Sequence, residues 1–190
     1  MRATLAVATL VLAGCASTMD RPAPVERWAD AGVLAVEKVC EPAAKAERLF
    51  EREFVADLAP YGFRPALPGE LEARLPPVPA GAEGQRGVLQ LRMPGVSAPV
   101  IVNGRWCTVG LAGGRPSVAL HRRLVQRFQA AGWAPFTDTT RLEAKETVER
   151  RAYARPADRF GRLTILEVML RGHVDDSWVE LTTYVIRDPA

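Results

Sequence analysis

The chain has 190 residues, room for one domain of ordinary size or two small ones. Apolar residues make up 48% and charged residues 25%, the composition of a packed globular chain and not of a disordered one. The formal charge of +3 lacks the dense basic patch a nucleic-acid partner needs, and no run reaches the roughly 18 apolar residues of a membrane span. Only Lys38, Lys45 and Lys145 are lysine among the 25 basic residues. The excess of Arg fits genome base composition or, as the alternative, phosphate recognition.

The N-terminus has the form of a secretory signal. Arg2 supplies a minimal positive start, and Ala3 to Ala13 is an uncharged, mostly apolar run. It ends in Leu12-Ala13-Gly14-Cys15. This ending resembles the lipobox of bacterial lipoproteins: an aliphatic residue, two small residues, then Cys. The resemblance covers residues 1–15 alone. It implies that residues 1–14 are a signal peptide and that the Cys15 thiol receives a diacylglyceryl group. It also implies acylation of the new amine by a fatty acid such as palmitate. The thiol is the strong nucleophile that thioether formation requires, and two or more chains anchor stably where one does not. Ala16 in place of Asp points, by the family's sorting rule, to the outer membrane facing the periplasm. The expected partners are therefore the membrane, through the lipid, and an envelope protein or the cell wall. Nucleic acid is not expected.

With Cys15 lipidated, Cys40 and Cys107 remain. An exported, even pair reads as one disulfide, closing a loop of about 67 residues. The alternative is a catalytic thiol, for which only His121 and His173 are available as partners.

Residues 15–26 read as lipidated Cys and tether, with Pro22 and Pro24 favouring extended backbone. Residues 27–190 read as a single globular periplasmic domain. The chain reads helical from Trp28 to Ala59, broken near Pro42, which predicts a short segment over 27–40 and a main helix over 42–59. Ala46, Leu49, Phe50, Phe54 and Leu58 form the apolar face of the latter. Residues 64–87, with five prolines and four glycines, read as a loop.

Strands follow. Leu89, Leu91 and Met93 alternate with Gln90 and Arg92. Asn103-Gly104 lies between two β-rich runs and predicts a hairpin pairing Val102 with Arg105 and Val100 with Cys107. That register puts Cys107 on one face with Val100 and Val109. A second helix is expected over 117–131, with Leu120, Leu124 and Phe128 in its stripe. Strands are expected over 146–154, 162–171 and 177–187, the last two joined by a tight turn at 172–176.

The fold class that emerges is α+β: an antiparallel sheet of about five strands with the two main helices packed on one face. Gly62-Phe63-Arg64-Pro65 and Gly132-Trp133-Ala134-Pro135 each follow a helix. They suggest either a repeated helix-plus-hairpin unit or two helix ends capped alike. In layout alone, with no shared motif, such a duplication is similar to the tandem helix-and-sheet organisation of β-lactamase-inhibitor-like proteins.

Candidate chemistry is sparse. His173-Val174-Asp175-Asp176 lacks the three or four convergent ligands of a zinc site and reads as a turn. Gly110 to Ser117 carries glycines at a helix start but no phosphate-loop motif. Ser117 and His121 share a helix face without a nucleophile elbow, and Glu167 with Glu180 reads as exposed charge. No cofactor or metal is expected. The candidate binding surface is the outward sheet face, with Trp178, Tyr184, Arg171 and Tyr153 at its centre, because Trp, Tyr and Arg are enriched at binding hot spots. The alternative is that a helix packs there and buries the rings. The favoured function is a non-catalytic binding or structural role in the envelope. The alternatives are a small periplasmic hydrolase using His121 or His173, and an inhibitor of a periplasmic enzyme.

Overall fold

Pro42 does not break the first helix; it widens it. In the computed structural model, which describes residues 24–45, 52–66, 86–111, 117–137, 147–156, 161–172 and 177–187, helix α1 spans Val25–Ala35. It continues through a π turn at Val36–Cys40 into α2, Glu41–Ala44. The Glu41 N–H reaches back to the Val36 carbonyl. A proline ring inside a regular helix strikes the carbonyl four residues back, and one wider turn just before it relieves that contact. The expected division into 27–40 and 42–59 is therefore corrected. The stretch 25–44 runs on as one helical element, α3 covers only Arg52–Leu58, and residues 46–51 lie outside the described residues.

Among the described residues eight strands form one antiparallel sheet: β1 Phe63–Pro65, β2 Arg86–Met93, β3 Val96–Asn103, β4 Trp106–Leu111, β5 Ala134–Pro135, β6 Thr147–Pro156, β7 Arg162–Arg171 and β8 Trp178–Arg187. Helix α4, Ser117–Ala130, lies between β4 and β5 in sequence. The expected sheet of about five strands with two main helices is thus wrong. The spatial order is β1-β2-β3-β4-β8-β7-β6-β5, which reads the same from either edge if each strand of the second half is matched to its counterpart in the first. Among the described residues each half is a helical stretch, α1 to α3 in the first and α4 in the second, followed by four strands, not helix plus hairpin, and the halves join where β4 pairs with β8.

The missed strands have physical explanations. β1 and β5 are three and two residues long, too short for alternation to register. Each follows a left-handed glycine, Gly62 at φ +90 and Gly132 at φ +84, and each contains a proline suited to a sheet edge. In β3, Pro99 interrupts what would otherwise read as a strand from Val96. Gly110 of β4 accommodates that ring, since a Cβ there would lie 3.3 Å from Pro99 Cγ.

The helices cover one face. Ala29, Ala35, Val39, Leu120, Leu124 and Phe128 meet the even-numbered residues of β3 and the odd-numbered residues of β2 and β4 in one core cluster. α1 and α4 approach closely at Gly32, where an added Cβ would meet Leu124 Cδ2 at 2.9 Å. Arg155 on β6 ties the halves together. Its Nη1 pairs with Glu41 at 2.8 Å, its Nη2 donates to the Ala131 carbonyl, and its guanidinium lies 4.6 Å from the Trp133 ring centre.

The hairpin register differs from expectation: Asn103 faces Trp106, Val102 faces Cys107 and Val100 faces Val109. The slip is two residues, and a two-residue slip preserves faces. Cys107 therefore still shares the buried face with Val100 and Val109.

Candidate functional site

Cys40 sits in the π turn and Cys107 on β4, and the two are bonded, with Cα atoms 5.2 Å apart. Both are fully buried. The bond pins the first helix to the sheet centre, and neither sulfur is available as a nucleophile. Cys15 lies outside the described residues.

The four residues expected at the centre of the outward face are divided by the structure. Tyr153 pairs with Leu166 in a row that faces the helices, and it is 2% exposed. Burial raises its hydroxyl pKa above the usual tyrosine value. Tyr184, Arg171 and Trp178 do lie on the opposite face, in register with Ile165 and with each other across β7 and β8. Tyr184 is only 5% exposed, whereas Trp178 and Arg171 are half-buried.

That opposite face differs between the two halves of the sheet. Over the middle of β7 and β8 it is buried, with Ile165 at 0%, Glu167 at 2% and Met169 at 4% exposure, although no helix among the described residues lies there. On β1 to β3 it is open, carrying Arg64, Gln90, Arg92 and Ser97. Gln90 Nε2 donates to Ser97 Oγ across the strands at 2.8 Å.

The buried half contains a polar cluster that sequence reasoning dismissed as exposed charge. Glu167 Oε1 accepts from Arg150 Nη2 and from the Tyr184 hydroxyl, each at 2.7 Å. Beside it, Arg171 Nε pairs with Glu180 Oε2 at 3.0 Å, and the Thr182 hydroxyl donates to Glu180 Oε1 at 3.3 Å. A charge with its partner in place is tolerated in such surroundings. Towards the β3–β4 turn the cluster gives way to aromatic surface, with Trp106 stacked on Tyr184 at 4.8 Å and 39% exposed. Arg150 and Trp106 were missed. In β6, Glu149-Arg151-Tyr153 and Arg150-Ala152-Ala154 are both plausible outward rows, and a register irregularity between Thr147 and Glu149 obscures the choice. The bulk of Tyr153 was the available signal for the inward row.

His121 is 1% exposed between α4 and the sheet. Its Nε2 lies 3.2 Å from the Val168 carbonyl, and its Nδ1 lies 3.7 Å from Glu149 Oε2. Burial holds its pKa below the ordinary histidine value, outweighing the Val168 carbonyl and the Glu149 carboxylate. One carboxylate among the described residues reaches it. Ser117 does not, because its hydroxyl donates to the Ser177 carbonyl at 2.8 Å. The Ser–His pair suggested by the i, i+4 spacing is therefore not assembled. His173 and the adjoining Asp175-Asp176 lie outside the described residues. Among the described residues no three His, Cys, Asp or Glu side chains converge as a metal site, and no helix is long and apolar enough to cross a membrane.

Comparison with known proteins finds no match, whether to a family model, to a curated protein or to a solved structure. The functional reading therefore rests on this chain's own residues.

Proposed function

We propose that the chain is a lipid-anchored protein of the bacterial envelope, held through Cys15 in the outer membrane and facing the periplasm. Its role is to bind another envelope component, protein or cell wall, without catalysis. The observation that carries this reading is the buried Cys40–Cys107 bond. Structural disulfides persist in oxidising compartments such as the periplasm, which agrees with the export signal and the Leu12-Ala13-Gly14-Cys15 motif. The binding surface of this reading is the sheet face opposite the helices, where Trp106 is exposed beside the β3–β4 turn and Trp178 is half-buried at the other end of β8. Large rings, and an Arg such as Arg171 beside Trp178, are the side-chain types that dominate binding energy.

The test has two arms. Intact mass of membrane-extracted protein is expected to begin at Cys15 and carry lipid, and Cys15→Ser is expected to let membranes washed in about 1 M salt release the protein. A soluble wild-type protein with a free Cys15 thiol would refute the anchor. Photo-crosslinking groups placed at Trp106 and Trp178 are expected to trap one defined envelope component, which the same groups on the exposed side of α4 do not. Equal trapping from both surfaces would refute the binding surface.

A second reading, an inhibitor of a periplasmic enzyme, is favoured by one observation: the two halves form a continuous sheet with described helices on one side only. It is distinguished by the identity of the trapped component.

A further inference from the structure

We propose that the domain rests the end nearest its tether on the anionic lipid leaflet that holds Cys15, through Arg27, Arg64 and Arg92. This rests on the lipid-anchor reading above.

The placement follows from a chain of contacts. Pro24 begins α1, and the Arg27 N–H donates to its carbonyl at 2.9 Å. Arg27 Nη1 donates to the Pro94 carbonyl, in the turn between β2 and β3, at 3.3 Å. The chain therefore enters the domain beside that turn. Arg92 precedes the turn by two residues, and its N–H donates to the Gly62 carbonyl at 2.9 Å. Arg64 follows Gly62 by two residues and pairs with Gln90, so Arg64 and Arg92 are diagonal neighbours on one sheet face. All three arginines are exposed.

The charge at this end is uncompensated among the described residues. The nearest acids on α1 are already engaged: Glu26 with Arg123 and Arg127 at 2.8 and 2.9 Å, and Asp30 with Arg127 at 3.0 Å. Asp57, exposed before β1, lies within ion-pair distance of none of the three. On the face that carries Arg64 and Arg92, the other residues of β2 and β3 include Val88, Gln90, Ser97, Pro99 and Ile101, with no acid.

Tether length brings this end to the bilayer. Eight residues separate Cys15 from Pro24. Eight residues span at most about 30 Å at about 3.3–3.6 Å each, and about 16 Å r.m.s. as a flexible chain, so the lipid-anchor reading keeps this end within about two to three screening lengths of about 8–10 Å from the bilayer. Near an anionic surface each basic residue raises partitioning about fivefold.

The test uses the chain from residue 15 onward with Cys15→Ser, which keeps every described element because these begin at Pro24. Its binding is measured by co-sedimentation with phosphatidylcholine vesicles, with and without phosphatidylglycerol. Binding is expected only with the anionic lipid, and it is expected to vanish near 1 M salt, where the screening length falls to about 3 Å. Each of Arg27→Gln, Arg64→Gln and Arg92→Gln is expected to weaken it about fivefold, with the effects multiplying. Arg105→Gln and Arg187→Gln, at the far end of the sheet, are expected to leave it unchanged. Thermal melting checks that each variant is folded. Absence of binding to anionic vesicles overturns the proposal, as does equal weakening by the far-end variants. Neither result bears on lipidation, which the intact mass decides separately. Vesicle binding that ignores the three substitutions would mean that another surface of the domain meets the lipid, and that also overturns the proposal.

Discussion

The Tyr184 hydroxyl and Arg150 Nη2 both donate to the same oxygen, Oε1 of Glu167, each at 2.7 Å and from strands on either side of it. The Glu167 side chain is 3% exposed and that of Arg150 16%. The carboxylate is thus the hub of a buried cross-strand network on the sheet face that no described helix covers. Glu167→Ala is expected to strand a largely buried cation and to cost about 3–5 kcal/mol of stability. Tyr184→Phe keeps the ring against Trp106 and loses one bond to a charged acceptor, at about 1.5–3 kcal/mol. Urea unfolding of both and of the double variant checks this. The effects should be non-additive, because the groups share one oxygen. Simple additivity, or losses below about 1 kcal/mol, would mean the cluster is solvated.

The Cys40–Cys107 bond spans 67 residues of sequence. The chain-entropy relation gives such a cross-link about 4 kcal/mol of stabilisation. The Cys40→Ala, Cys107→Ala double variant is expected to lose about that much and to retain its fold if the remaining core suffices. In the unreduced protein, neither thiol should react with an alkylating reagent even after unfolding. Labelling of either cysteine under those conditions would show that the bond is absent.

His121 should make the protein sensitive to mild acid. Burial lowers its folded-state pKa below the ordinary 6.5. The unfolded chain therefore takes up a proton before the folded one does. The stabilisation of the neutral ring is complete above pH 6.5 and is lost as pH falls below that value towards the folded-state pKa. Urea midpoints are expected to fall between pH 7.5 and pH 5, with a smaller fall in His121→Gln. An NMR titration placing the ring above 6.5 would contradict the burial argument and favour an ion pair with Glu149.

Gly62 and Gly132 share a left-handed backbone, yet their surroundings differ. A Cβ on Gly62 would lie 2.3 Å from the Arg92 carbonyl oxygen, while one on Gly132 would meet nothing within 4 Å. Gly132→Ala is expected to cost only the conformational term, about 1–2 kcal/mol. Gly62→Ala must also displace the β1–β2 edge and should cost distinctly more. Thermal melting of the two variants compares them directly, and equal losses would show that the edge yields freely.

Local patterns were sufficient for some of this. Alternation over Arg162–Arg171 and Trp178–Arg187 matches β7 and β8, and the apolar stripe from Leu120 to Phe128 lies on α4. The expectation of export and the even cysteine count pointed to the Cys40–Cys107 pair, and side-chain parity put Cys107 on the buried face despite a slipped register. These features depend on periodicity and chemistry within a short window. Tertiary structure decided the rest. Whether Pro42 ends or widens a helix depends on the packing that holds α1 and α2 to the sheet. β1 and β5 exist only because longer neighbours, β2 and β6, supply their hydrogen bonds. The side of the sheet that receives Tyr153 depends on how β6 registers against β7, which no window of its own sequence contains. The network at Glu167 draws on residues from three strands that become neighbours only when the second half of the sheet assembles. A sequence window records the period of an element; its strand neighbours and the cover over each face are set by contacts between residues far apart in the chain.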